Sequence, residues 1–154
     1  MSWFRRPSGD ALKSAASSFA LMAVIAILVS QVAATASAQS TWLPTSGTTA
    51  WLTGTAWSNG SIPNATGAVA VFPTAGVEAT VLSSTVTTGT INYSAASGNL
   101  VLRGTNGLTT DVITLATASG SPTINVNGSA QLYFYTDLAG TQGYTKTGSG
   151  VLIF

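Results

Sequence analysis

Cysteine and histidine are both missing from these 154 residues, and only 6% of the chain is charged. No cysteine means no disulfide and no thiolate nucleophile. With histidine gone as well, the common nucleophile–base triads and the soft-metal sites are excluded. Carboxylates are nearly as scarce: past Asp10 there are only Glu78, Asp111 and Asp137. An acid pair able to cleave a polysaccharide needs its carboxyls about 5–10 Å apart. Asp111 and Asp137 are far enough apart in the chain to read as two solvated acids on different turns. No catalytic, cofactor-binding or metal-ligating set is expected, and the chain reads as a non-enzyme. A solenoid enzyme that cleaves polysaccharide through Asp111 or Asp137 is the lesser reading.

Charge of either sign is too thin to select a charged polymer. The formal balance of +1 comes from Arg5, Arg6 and Lys13 near the N-terminus; from residue 39 onward, Arg103 and Lys146 stand against three acids, leaving −1. Without a basic patch nucleic acid is excluded as a partner, because phosphate neutralisation supplies most of that affinity. Low charge does not mean disorder here, since disordered chains pair low hydrophobicity with high net charge.

The only long apolar run spans residues 19–29, after a basic stretch and before a small, polar one ending Ala36-Ser37-Ala38. That run is roughly half of the ~20 residues a membrane helix needs. Residues 1–38 therefore read as a signal-peptide helix cleaved between Ala38 and Gln39. The chain is expected to be exported through the inner membrane, to become secreted or surface-located, or to stay periplasmic if it lacks a translocator.

Beyond residue 38 the abundant residues are threonine, serine and glycine, with 23, 12 and 15 occurrences. Threonine is stiff at χ1, serine competes for backbone hydrogen bonds, and glycine loses much entropy in a helix. The same threonine content suits strands. Short β-prone runs at 68–72, 78–82, 86–93, 100–103, 112–116, 123–126, 131–135 and 151–154 alternate with Gly, Asn and Ser turns. Ile91, Ile113, Tyr133 and Leu152 recur at nearly even spacing. A period near twenty, with a shorter strand between each pair, predicts stacked coils of parallel β-structure. In run 86–93, Thr87, Gly89, Ile91 and Tyr93 are expected to face inward. Asn92, Asn99, Asn125 and Asn127 are expected to form ladders between coils.

Residues 39–76 form a distinct region containing Trp42, Trp51 and Trp57 among turn residues. Exposed, these indoles would make a sugar-stacking platform and the chain a carbohydrate-binding module. Folded inward, they would cap the end of the coils at 77–154, and the inward reading is favoured because large rings bury much apolar surface.

Residues 137–154, ending Gly-Tyr-Thr-Lys-Thr-Gly-Ser-Gly-Val-Leu-Ile-Phe, resemble the autotransporter-associated β-strand repeat, with Gly140, Tyr144, Lys146, Gly148, Gly150 and Leu152 on the repeat's motif positions. Run 86–93 is similar to the strand that opens such modules, and residues 50–72 to the leader that precedes them. The resemblance implies a right-handed parallel β-helix, the passenger or stalk of a bacterial outer-membrane surface protein. The expected role is structural or adhesive, acting through an extended Thr/Ser/Asn-rich face on glycans or host-cell surface molecules. Self-association through the coil edge from Val151 to Phe154 is also expected. Lys146, just before a tight turn, reads as a solvated charge.

Overall fold

The computed structural model describes residues 39–81, 84–104 and 110–154. The signal-peptide reading of residues 1–38, with Ala38 at its cleavage site, lies outside them, as does Leu82 at the end of run 78–82. Gln39 opens the first described strand.

Among the described residues thirteen short strands make up an all-β fold: β1 (Gln39–Thr41), β2 (Gly47–Ala50), β3 (Val69–Phe72), β4 (Val77–Val81), β5 (Thr85–Thr88), β6 (Thr90–Tyr93), β7 (Asn99–Gly104), β8 (Val112–Leu115), β9 (Thr123–Val126), β10 (Gln131–Tyr135), β11 (Asp137–Ala139), β12 (Thr145–Thr147) and β13 (Val151–Ile153). The helical content among the described residues is two 3-10 turns, Gly54–Ala56 and Ser58–Gly60. Every ladder is parallel. The first sheet runs β1-β3-β6-β9-β12, the second β2-β4-β7-β10-β13 and the third β5-β8-β11. Parallel neighbours need a crossover, usually a helix. Here the crossover is made of strands: between β3 and β6 the chain contributes β4 to the second sheet and β5 to the third.

Alternation of side chains fixes the register. β3, β6, β8 and β9 all bury their second and fourth residues and leave the first and third partly exposed. In-register pairing stacks the buried positions into columns. Ala70, Ile91 and Ile124 form one in the first sheet, Val77, Leu100, Leu132 and Leu152 one in the second, and Val86, Ile113 and Leu138 one in the third. Ile91, Leu100, Ile113, Ile124 and Leu132 have no exposed surface. Burying a side chain of this size is worth about 1.5–3 kcal/mol, so these columns are what order such short strands.

Two expectations are corrected here. The set Ile91, Ile113, Tyr133 and Leu152 is not a column: Ile91 lies in the first sheet, Ile113 in the third, and Tyr133 faces Ile153 rather than Leu152 in the second. Steps between partners in the first sheet, from Val69 to Thr90, Thr123 and Thr145, are unequal, the middle one being half as long again as its neighbours. Turns of different length separate the same three sheets, and the apparent period mixes positions from all of them.

Run 86–93 is two strands, broken at Gly89. Val86 and Thr88 face inward before the break, Ile91 and Tyr93 after it. Thr87, expected inside, is only half-buried. The inward phase slips by one residue where the chain turns from the third sheet to the first. Gly89 makes that corner feasible: a Cβ there would lie 2.6 Å from Gly67 Cα.

Candidate functional site

The three tryptophans offer no platform. Trp42, Trp51 and Trp57 are 1%, 0% and 1% exposed. They cluster with Phe72, with ring centroids 4.8 Å apart for Trp42–Trp57, 5.2 Å for Trp51–Trp57, and 5.4–5.5 Å from each to Phe72. The turns hold this cluster in place. Trp42 forms an antiparallel bridge with Trp57, the Thr41 amide donates to Ser58 Oγ at 2.9 Å, and Trp57 Nε1 donates to the Trp51 carbonyl at 2.6 Å. All three indoles are buried against each other and Phe72, so none leaves a face open for a sugar to stack on.

The repeat-motif residues sit on the last strand of each sheet and its turns. Lys146 pairs with Ile124, so it continues the inward column Ala70–Ile91–Ile124. It is exposed, yet it is not simply solvated. Its Nζ donates to the Gly148 carbonyl at 2.6 Å and the Gly150 carbonyl at 2.5 Å, tying the strand to the turn that follows. Gly148 holds φ +74°, and a Cβ there would meet the Val126 carbonyl oxygen at 2.2 Å. That combination of left-handed backbone and close approach admits only glycine. Gly150 donates its amide to the Val126 carbonyl, and Leu152 is half-buried against its register partner Leu132. Gly140 and Tyr144 line a hollow of about 210 Å³ together with Leu115, Leu138, Ala139 and Gly143. Tyr144 is 40% exposed, Val151 48% and Phe154 67%. Phe154 stacks on Phe134 with centroids 5.5 Å apart.

The outward face of the first sheet is uncharged. Register places Val69, Thr90, Thr123 and Thr145 in one column and Val71, Asn92, Asn125 and Thr147 in the next. Asn125 Nδ2 donates to Asn92 Oδ1 at 2.8 Å and to Asn127 Oδ1 at 3.0 Å, while Thr147 Oγ1 donates to Asn125 Oδ1 at 3.1 Å. Three of the four expected asparagines thus meet. Asn99 stands elsewhere, opposite Gln131 in the second sheet.

The second sheet carries a group that the sequence did not flag. Outward-facing Tyr133 and Tyr135 stack with centroids 6.0 Å apart and planes at 27°. Arg103, in register with Tyr135, holds its Cζ 5.1 Å from that ring's centroid, and its Nε donates to Glu78 Oε1 at 3.0 Å. Tyr133 Oη donates to Gln131 Oε1 at 2.7 Å. The available signal was the alternation in Gln-Leu-Tyr-Phe-Tyr at 131–135, which sets both tyrosines on one face and Leu132 and Phe134 on the other.

The acids are placed differently from expectation. Asp137 pairs with Val112, so Asp111 and Asp137 stand at neighbouring strands, β8 and β11, and Asp111 is not the solvated acid expected. Asp111 is 1% exposed. Its carboxylate takes a long hydrogen bond from Thr110 Oγ1, and its carbonyl accepts from Thr136 Oγ1. Asp137 is exposed. Glu78 is engaged by Arg103 across the second sheet. Among the described residues, no three acidic, histidine or cysteine side chains gather as a metal site would need.

Comparison with protein-family models, curated proteins and solved structures finds no match to this chain.

Proposed function

We propose that the chain is a segment of an exported, non-enzymatic surface or secreted protein in which the three parallel sheets wind as a right-handed β-solenoid with a structural or adhesive role. The fold part of this reading is supported by the ladders: each sheet takes one strand in turn from the advancing chain, and buried side chains stack from strand to strand. A crossed pair of cysteines, Thr90→Cys with Thr123→Cys, is expected to close an intrachain disulfide, since adjacent strands lie about 4.8 Å apart. Two free thiols after mild oxidation would refute the stacking.

The adhesive part is carried by one observation. The first sheet presents in-register columns of threonine and asparagine with no ionisable side chain facing outward among the described residues, and the Asn92–Asn125–Thr147 ladder pre-orders that face. An ordered uncharged surface meets a partner with little side-chain entropy left to lose. Beads coated with the chain are expected to retain cells or glycan-bearing particles above albumin-coated controls, and equal retention would overturn the reading. Export is tested separately by terminal sequencing of the extracytoplasmic product, which is expected to begin at Gln39; an intact Met1 would contradict it.

A further inference from the structure

We infer that the outward face of the second sheet around Tyr133, Tyr135 and Arg103 binds a neutral, hydroxyl-rich glycan, stacking sugar rings on the tyrosines. This rests on the adhesive reading and moves its point of contact to a face that reading did not use. Tyr135 is 51% exposed. It stands among aliphatic and polar neighbours on the outer face of the sheet, with Val101 and Ile153 flanking Tyr133 in register on either side. An aromatic ring pairs well with the apolar C–H face of a pyranose, and such rings carry much of the binding energy where they sit exposed.

The polar groups beside the rings match sugar hydroxyls, each of which both donates and accepts. Arg103 spends only its Nε on Glu78, leaving the terminal NH2 groups of its fork as donors. Glu78 bonds through one oxygen and keeps the other as an acceptor. Gln131 accepts from Tyr133 through its amide oxygen, so its NH2 group remains to donate. Side-chain exposures of 41% for Arg103 and 22% for Glu78 keep these atoms within reach of a ligand.

Charge decides which glycan. An unaccompanied arginine fork would favour carboxylate or sulfate. Glu78 at 3.0 Å cancels that preference locally, so the face is neutral overall. The group spans three paired strands on an open face, which fits a polymer laid across the strands better than a single sugar enclosed in a cavity. The buried tryptophans take no part.

The full chain is tested on a printed array of neutral glucose, mannose and galactose oligosaccharides beside sulfated and sialylated ones. Binding to at least one neutral class is expected, unchanged between low and high salt because no net charge is neutralised. Tyr135→Ala and the Tyr133→Ala/Tyr135→Ala pair are expected to weaken it by about tenfold or more, with Tyr135→Phe close to wild type. Circular dichroism of each variant separates lost binding from lost fold, and Tyr135→Leu, which removes the ring but keeps an apolar side chain, is expected to lose binding likewise and keeps the test decisive if an alanine variant unfolds. Binding confined to acidic glycans and abolished by salt, neutral binding indifferent to both tyrosines, or no binding at all would overturn the inference. Retention of cells by coated beads without any array signal would leave the adhesive reading standing and this site refuted.

Discussion

Replacing Tyr93 by phenylalanine is expected to stabilise the protein, against the usual direction for a core substitution. The Tyr93 ring has no exposed surface, and its hydroxyl has no hydrogen-bond partner among the described residues. A buried hydroxyl left unpaired costs about 1–3 kcal/mol relative to its hydrated state. Phenylalanine keeps the ring between Phe72 and Val126 in the first sheet and removes only the oxygen. A gain of about 1 kcal/mol would raise the melting temperature by roughly 3–6 °C in a domain of this size. The pH dependence gives a second, independent reading. Burial raises the Tyr93 phenol above its ordinary value of 10.0. A folded-state pKa above the unfolded one contributes stability that is complete below the unfolded pKa and lost as pH rises through the folded value. Wild type should therefore lose stability above about pH 10 faster than Tyr93→Phe, because in wild type unfolding releases a phenol that ionises more readily in water. The gap between the two proteins, followed by thermal melts from about pH 7 to 11, should widen upward from about pH 10. A destabilised Tyr93→Phe at neutral pH, together with a gap that stays constant across that range, would show that the hydroxyl is satisfied and refute the reasoning.

Three further outcomes follow from contacts in the fold. Gly89→Ala should cost about 1–3 kcal/mol, because its new methyl would press on the Gly67 backbone, which cannot rotate away; an unchanged denaturation midpoint would show that the corner can open. Asn125→Ala should lose about 1–2 kcal/mol by leaving Asn92 and Thr147 without their shared partner, and equal loss in an Asn92→Ala background would deny that the ladder acts as a unit. Alanine substitution of Glu78, of Arg103 and of both should give a coupling energy of only about 0–1 kcal/mol, falling with salt, since the pair is partly exposed; a larger, salt-independent coupling would mark it as structural.

The strands were legible because period-two alternation is a local property. Run 123–126 reads the same in sequence and in the sheet, Thr123 and Asn125 outward, Ile124 and Val126 inward. Run 86–93 misleads for the same reason. It looks like one long β-prone strand, and nothing local says that Gly89 lies against Gly67, a residue well back along the chain. Asn92 and Asn125 could be named as ladder residues from their type, but which asparagines meet depends on register, and Asn99 belongs to another sheet. Tyr133 and Tyr135 carry no mark of a site in the sequence, because the partners that give them chemistry, Arg103 and Glu78, come from the earlier strands β7 and β4. The inward reading of Trp42, Trp51 and Trp57 could be favoured from ring size alone, but residue type does not say which neighbours bury them, and Phe72 as their shared partner comes from the fold.

The sequence by itself settled the class of structure: threonine and glycine in short alternating runs disfavour helices and leave strands and tight turns, whatever the tertiary arrangement. It also set the chemical limits, since absent histidine and cysteine cannot be supplied by folding. Only the tertiary structure decided which strands are neighbours, and with that the parallel sheets, the inward turn of Trp42, Trp51 and Trp57, and the meeting of Tyr135, Arg103 and Glu78. Pairing depends on the length and path of the turns between strands. Those turns differ in length from one strand to its partner, so the unequal steps between Val69, Thr90, Thr123 and Thr145 carry no fixed period to read.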